Sequence, residues 1–282
     1  MSAQGPAGGH VASHTHYRRF DRADRLLHGF LMFSFLGLAF TGLPLRFSHD
    51  PWAATLARFF GGFESAGLIH RVCAVVMMTV FVIHLTRISR RIFGQKDLGM
   101  LWGPSSMVPQ PRDFSEMVTH IRWFVGLGPQ PRFDHFTYWE KFDYWAVFWG
   151  MGIIGGSGLI LWFPELFAYV LPGWMFNIAT VVHGEEALLA VGFIFTIHFF
   201  NGHLRPEKFP MDSVIFTGRV TLREMEEERP DELERLTRTG RIDELASAAA
   251  PRWVYRLGRT AGAIAVVFGL LMVALILFAI LA

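Results

Sequence analysis

Five apolar runs, each about twenty residues long, dominate this chain: Leu26–Phe47, Leu68–Ile88, Trp145–Phe163, Ile178–Asn201 and Ala261–Ala282. A helix rises about 1.5 Å per residue, so about 20 apolar residues cross the hydrocarbon of a bilayer. In lipid, backbone N–H and C=O groups must be satisfied within the protein, so such runs fold as helices. The expected fold is an all-α integral membrane protein, a four-helix bundle plus a fifth C-terminal transmembrane helix. Composition agrees, with 52% of the 282 residues apolar, 28 of them Phe and 9 Trp, more than a soluble domain of this length needs.

Basic residues orient the spans. Arg18, Arg19, Arg22 and Arg25 precede the first, Arg90, Arg91 and Lys96 follow the second, and Arg205 and Lys208 follow the fourth. Arg252, Arg256 and Arg259 precede the fifth, whereas only Arg46, Arg58 and Arg71 fall on the other side. The positive-inside rule then puts the N-terminus in the cytoplasm and the C-terminus in the periplasm of a bacterial inner membrane. Residues 1–22 read as a flexible cytoplasmic tail, with His10, His14 and His16 in a mobile polar arm. The first apolar run is too long and lies too far in to be a cleaved signal peptide. Residues 23–205 form the four-helix domain, with a cytoplasmic loop at about 90–144 that carries an amphipathic helix, Phe114–Val125, between two Pro-Gln-Pro turns. Residues 206–251 form a charged cytoplasmic segment with helices broken at Pro230 and Gly240, and residues 252–282 the fifth helix. The outer loop FPELFAYVLPGWMFN is aromatic and is expected in the membrane interface.

Histidines inside the spans narrow the function. Ionisable residues within a bilayer are costly and mark functional sites. Span two carries His70 and His84, fourteen residues apart, and span four carries His183 and His198, fifteen apart. At about 100° per residue, both spacings return to nearly the same helix face, and they separate two levels by roughly 21–22 Å. Spans two and four run in the same direction, so His70 matches His183 in depth near the outer surface, and His84 matches His198 near the inner. His28 enters span one at the inner level, and His203 lies about one turn further toward the cytoplasm. Facing imidazoles at one depth suit axial ligation of haem iron, with the second ring nitrogen free to donate a hydrogen bond. Gly37, Gly42, Gly150, Gly152, Gly155, Gly156 and Gly158 offer room for a porphyrin. Cys73 is the one cysteine. That excludes a disulfide framework, a Cys-ligated iron–sulfur cluster and C-x-x-C-H haem attachment; Cys73 reads as a small packing residue.

Four stretches resemble the b-type cytochrome subunits of membrane formate dehydrogenases, nickel–iron hydrogenases and thiosulfate reductases. They are DRLLHGFLMFSFLGLAFTGLPL (Asp24–Leu45), LIHRVCAVVMMTVFVIHL (Leu68–Leu85), EKFDYWAVFWGMGIIGGSGLILWFPE (Glu140–Glu165), and the span from Val181 through KFPMDSVIFTGRV (Lys208–Val220). The resemblance implies two b haems, the outer held by His70 and His183, the inner by His198 with His28. It also implies a quinone site near the inner haem, taking menaquinone or ubiquinone, and a partner docked outside. The chain departs from that family in three ways. His84 stands where the formate dehydrogenase pattern has an apolar residue, the span-four spacing is fifteen rather than fourteen, and the fifth span and the 206–251 segment are additional. His84 is therefore an alternative inner ligand, and with His28, His198 and His203 it is a candidate for a third site.

The functional expectation is a respiratory electron carrier within the membrane, exchanging electrons with a quinone inside and with an iron–sulfur or multihaem c-type cytochrome subunit outside. Tyr138, Glu140, Asn201 and His203 are the candidate quinone contacts, with Lys141 and Asp143 as further proton-transfer groups. Glu185 or Glu186 is expected to pair with Arg71 or to meet a haem propionate through water. A formal net charge of +2 suggests no nucleic-acid partner, and no nucleotide loop or nucleophile–base pair marks a catalytic site. Two alternatives remain: a transmembrane reductase that uses no quinone, and a haem-free anchor or transporter whose histidines bind protons or substrate.

Overall fold

In the computed structural model, residues 15–206, 208–209 and 211–281 are described. His10 and His14 lie outside them. The chain begins with strand β1 (His16–Arg18), then α1 (Arg22–Arg46), a short α2 (Pro51–Phe59) and α3 (Phe63–Ser89), which continues as a π turn to Gly94. The connection to the next span holds α4 (Pro111–Phe124). The third span joins α5 (Tyr138–Gly150) and α6 (Gly156–Trp162) through a π turn at Met151–Gly155, and the short α7 (Pro164–Phe167) follows. The fourth is α8 (Trp174–Phe193), extended by π turns at Ile194–His198 and Phe200–Leu204. After α9 (Val214–Thr217) come β2 (Arg219–Thr221), α10 (Leu222–Glu228), α11 (Pro230–Arg238), β3 (Ala246–Ser247) and α12 (Arg252–Leu281).

The chain is all-α, and five of its helical stretches are long and apolar enough to cross a membrane: Arg22–Arg46, Phe63–Gly94, Tyr138–Trp162, Trp174–Leu204 and Arg252–Leu281. Each covers the apolar run expected from the sequence to within one residue at its C-terminal end and starts four to nine residues earlier; at the first and third spans, polar capping residues carry the helix past the apolar part. Asp21 caps α1 in a capping box with Asp24, and Thr137 caps α5 with Glu140, satisfying N–H groups that a helix start leaves open. At the short-loop end, the connection between the first two spans folds into α2 rather than a plain loop. It closes on Gly61 and Gly62, both at positive φ (89° and 105°), a conformation that glycine adopts without a Cβ penalty.

The fifth helix is part of the main core. Ala265, Met272 and Ile276 are buried with Ala39 and Leu43 of α1 and with Val191 and Phe195 of the fourth span. At Gly269 a Cβ would sit 2.4 Å from the Phe195 ring, so glycine is what lets α12 close on that aromatic. This is the small-residue packing that membrane helices use where apolar burial gives no driving force.

The expected flexible tail is corrected from residue 15 onward. β1 is the central strand of an antiparallel sheet ordered β2-β1-β3, with His16 opposite Thr221 and Tyr17 opposite Ala246. Tyr17 is buried with Val214, Val220, Met225 and Leu236. A polar composition concealed one tyrosine that anchors the strand. This small second core lies at the connector end of the bundle, where the N-terminal strand, the 90–137 connection and the 206–251 segment meet.

Candidate functional site

His70 and His183 face each other across the bundle, ring centroids 6.3 Å apart and ring planes 74° to one another. Two metal–nitrogen bonds of about 2 Å each, plus the half-width of each ring, add up to about 6 Å. The pair therefore stands at the separation that two imidazoles on one metal require.

Their hydrogen bonds define which ring nitrogen is available. Thr41 Oγ1 gives its hydrogen to the Gly37 carbonyl at 2.7 Å, so it accepts from His70 Nδ1 at 3.0 Å. His183 Nδ1 lies 3.0 Å from the Ile154 carbonyl, which can only accept. Both rings therefore carry their proton on Nδ1 and keep the Nε2 lone pair for a ligand. Such outer partners orient metal-bound histidines and raise their basicity.

The two supports repeat one pattern. Leu38-x-x-Thr41-Gly42 on α1 serves His70, with Leu38 backbone also hydrogen-bonding the ring. Ile154-x-x-Ser157-Gly158 on the third span serves His183, with Ser157 Oγ at 3.4 Å. A Cβ at Gly42 would lie 3.2 Å from His70 Cε1, and one at Gly158 would lie 3.0 Å from His183 Cε1. These two glycines thus make room for the imidazoles, where the sequence suggested room for a porphyrin. Ile154 belongs to the π turn at Met151–Gly155, and such turns concentrate at functional sites.

A second histidine pair lies toward the connector end. His28 and His198 are electrostatic neighbours, and His198 Nδ1 donates to Asp143 Oδ2 at 3.0 Å. His198, too, is left with its Nε2 lone pair. The π turn at Ile194–His198 takes up one residue more than an α turn. That accounts for the fifteen-residue spacing in span four against the fourteen in span two.

The other candidates go elsewhere. His84 Nε2 meets the Tyr144 hydroxyl at 3.0 Å, and its ring also packs on Phe148. His203 packs on Phe199, and a Cβ at Gly262 of α12 would reach its ring at 3.0 Å. His28, His84, His198 and His203 thus form no common cluster, and among the described residues no group of three or more His, Cys, Asp or Glu is arranged to hold a metal ion. Cys73 is buried with its Sγ against Gly37, the packing role expected of it. Glu185 pairs with Arg46 at 2.5 Å rather than with Arg71, and Glu186 accepts from the Trp149 indole at 3.3 Å. Arg71 lies over the Trp162 ring, 5.8 Å from its centroid.

Two of the four expected quinone contacts, Tyr138 and Glu140, are held by other partners. Tyr138 hydroxyl bonds His120 Nδ1 at 3.1 Å, and Asn201 is half-buried in the last π turn. Glu140 is drawn the other way, pairing with Arg229 at 2.8 Å and Arg19 at 3.9 Å. Lys141 is buried against Asp113 at 2.7 Å.

Glu140 belongs to a buried ion network that sequence reasoning did not find, because its members are far apart in the chain. Arg19 reaches Glu232 at 3.2 Å, His135 bonds the other Glu232 oxygen, and Arg235 holds Asp134 at 2.6 Å. Burial alone would raise the Glu232 carboxyl. The His135 hydrogen bond and the guanidinium groups of Arg19 and Arg229 outweigh it and hold the group at about 2. Burial lowers His135, so at neutral pH its hydrogen bond rather than a full charge supports Glu232. The network ties β1 and α11 to the start of the third span.

No family model matches the sequence, and no curated protein matches it with significance. Function therefore rests on the arrangement of the residues themselves.

Proposed function

We propose that the chain is a dihaem b-type cytochrome of a bacterial inner membrane, the electron-carrying subunit of a respiratory oxidoreductase complex. The observation that carries this reading is the His70–His183 pair, 6.3 Å between ring centroids, with both Nδ1 atoms engaged and both Nε2 lone pairs left for a ligand. A bis-histidine haem would take two imidazoles from the protein, so a histidine pair rather than a larger cluster would be its donor set. Other uses of membrane histidines, such as proton relays, need no such matched supports on neighbouring helices.

His70 and His183 would hold one haem, and His28 and His198 the other. When bound, the iron supplies one-electron redox chemistry, and two irons at two depths offer a path across the bilayer. The protein's share is to fix the imidazoles. Thr41 and Ile154 hold the first pair, Asp143 supports His198, and Gly42 and Gly158 keep the rings from being displaced. The positive-inside bias of the basic residues supports a cytoplasmic position for the second pair, where exchange with menaquinone or ubiquinone is proposed. Asp143, which accepts from His198 and has its Oδ1 buried without a hydrogen-bond partner, is the carboxyl group proposed for proton transfer at that level. At the opposite end, an iron–sulfur or multihaem c-type subunit is the proposed partner.

Purified chain should take a reduced b-type spectrum with quinol, and a quinone-site inhibitor should block that reduction but not reduction by dithionite. Reduction by quinol that the inhibitor leaves untouched would favour a quinone-independent reductase.

A further inference from the structure

Helix α4 is built inside out for a helix on a water-facing surface. Asp113 is 6% exposed and is clamped to Lys141 of the third span at 2.7 Å. Glu116, one turn on, has a side chain only 11% exposed that pairs with Arg112 at 3.0 Å. Positions 114, 118, 121 and 125 follow the i, i+4, i+7 pattern of one helix face, and that face points outward. Phe114 is 66% exposed, Ile121 53% and Val125 63%. At the same end of the molecule, α11 has the opposite polarity, burying Leu236 while Glu234 and Arg238 face out. The two helices are therefore built for different surroundings.

The outward face of α4 continues the lipid-facing belt of the third span. Phe142, Trp145 and Trp149 are exposed on that span, and the Trp145 indole donates to the Met107 carbonyl, just ahead of α4, at 3.0 Å. Phe93 and Trp102, on the connection ahead of α4, are also exposed. Arg122 is exposed beside the apolar face, where a long basic side chain can reach lipid headgroups.

We propose that α4 lies within the bilayer leaflet at the connector end, its Phe114–Val118–Ile121–Val125 face against acyl chains and its acidic face locked to the third span by Asp113–Lys141. The occupant is lipid, because the apolar face is continuous with the lipid-facing surface of the span. The connection between spans two and three is thus part of the membrane-embedded body rather than a cytoplasmic loop.

Spin labels on the full-length chain in phosphatidylcholine liposomes test this. Phe114→Cys, Val118→Cys and Ile121→Cys, each in a Cys73→Ala background, are compared with Glu234→Cys on α11. Oxygen, which partitions into lipid, should relax the three α4 labels several-fold more than a water-soluble nickel chelate does, and the Glu234 label should show the reverse. Nickel dominating on α4 would place the face in water and overturn the proposal. Protection of the α4 labels from both reagents would mean that protein covers the face, and would overturn it equally.

Discussion

His84 Nε2 lies 3.0 Å from the Tyr144 hydroxyl, while His198 is the electrostatic neighbour of His28. The pairing separates two histidines that sequence position alone left as equals. His84→Ala should therefore leave the haem content unchanged at two per chain, whereas His28→Ala should lose one of the two. A pyridine haemochrome assay on each purified variant, quantified against protein, makes the comparison. Haem loss from His84→Ala together with full retention by His28→Ala would reverse the assignment.

Thr41 and Gly42 support His70 in different ways, one by a hydrogen bond at 3.0 Å and one by leaving space. Thr41→Val should keep the fold and weaken retention of the haem at that level by about 10–100-fold, the usual cost of losing an outer partner of a metal-bound histidine. Gly42→Leu should expel that haem altogether, because the Cβ alone would lie 3.2 Å from the ring. Haem dissociation to apomyoglobin, followed by absorbance, reads both, and the His28–His198 level should be unaffected in each.

Much of this was legible in the residues. Apolar run length located all five spans, and histidine spacing located His70, His183 and His198; spacing alone pointed to His84 as the fourth, and His28 came from the family resemblance. The supporting pattern, Leu38-x-x-Thr41-Gly42 and Ile154-x-x-Ser157-Gly158, was present in the sequence but went unread. Hydroxyl groups and glycines are common in membrane helices, and only the facing rings show what these ones do. The π turn in span four was hidden too, since one extra residue in an apolar run leaves no mark except a histidine spacing of fifteen. The ordered N-terminal strand and its ion network depend on contacts such as Arg19 with Glu232, 213 residues apart, which no local pattern reveals.

The Glu232 carboxyl gives the connector end an acid dependence. Its folded value of about 2 lies below the ordinary 4.5, so the stabilisation is fully present above about pH 4.5 and is lost as pH falls through about 2. The shift corresponds to about 3 kcal/mol. Glu232→Gln should be less stable than the parent at pH 7, and the difference should close as pH falls from 4.5 to 2. Protease cleavage within residues 206–251, followed against pH for both proteins, reads it.

Gly269 admits Phe195 into the face of the fifth helix, where a Cβ would meet the ring at 2.4 Å. Gly269→Leu should force α12 outward and lower the thermal midpoint in detergent by several degrees. Pairing it with Phe195→Ala, which empties the space, should restore part of the loss. A double-mutant cycle on the midpoints measures that coupling.

The most direct measurement is the dithionite-reduced minus oxidised absorption spectrum of the purified, membrane-extracted chain, with haem and protein quantified on the same sample. Paired imidazoles at two depths predict b-type bands and two haems per polypeptide, falling to one in both His70→Ala and His183→Ala. A folded chain, helical by circular dichroism and produced with ample haem, that shows no such bands would contradict the cytochrome reading.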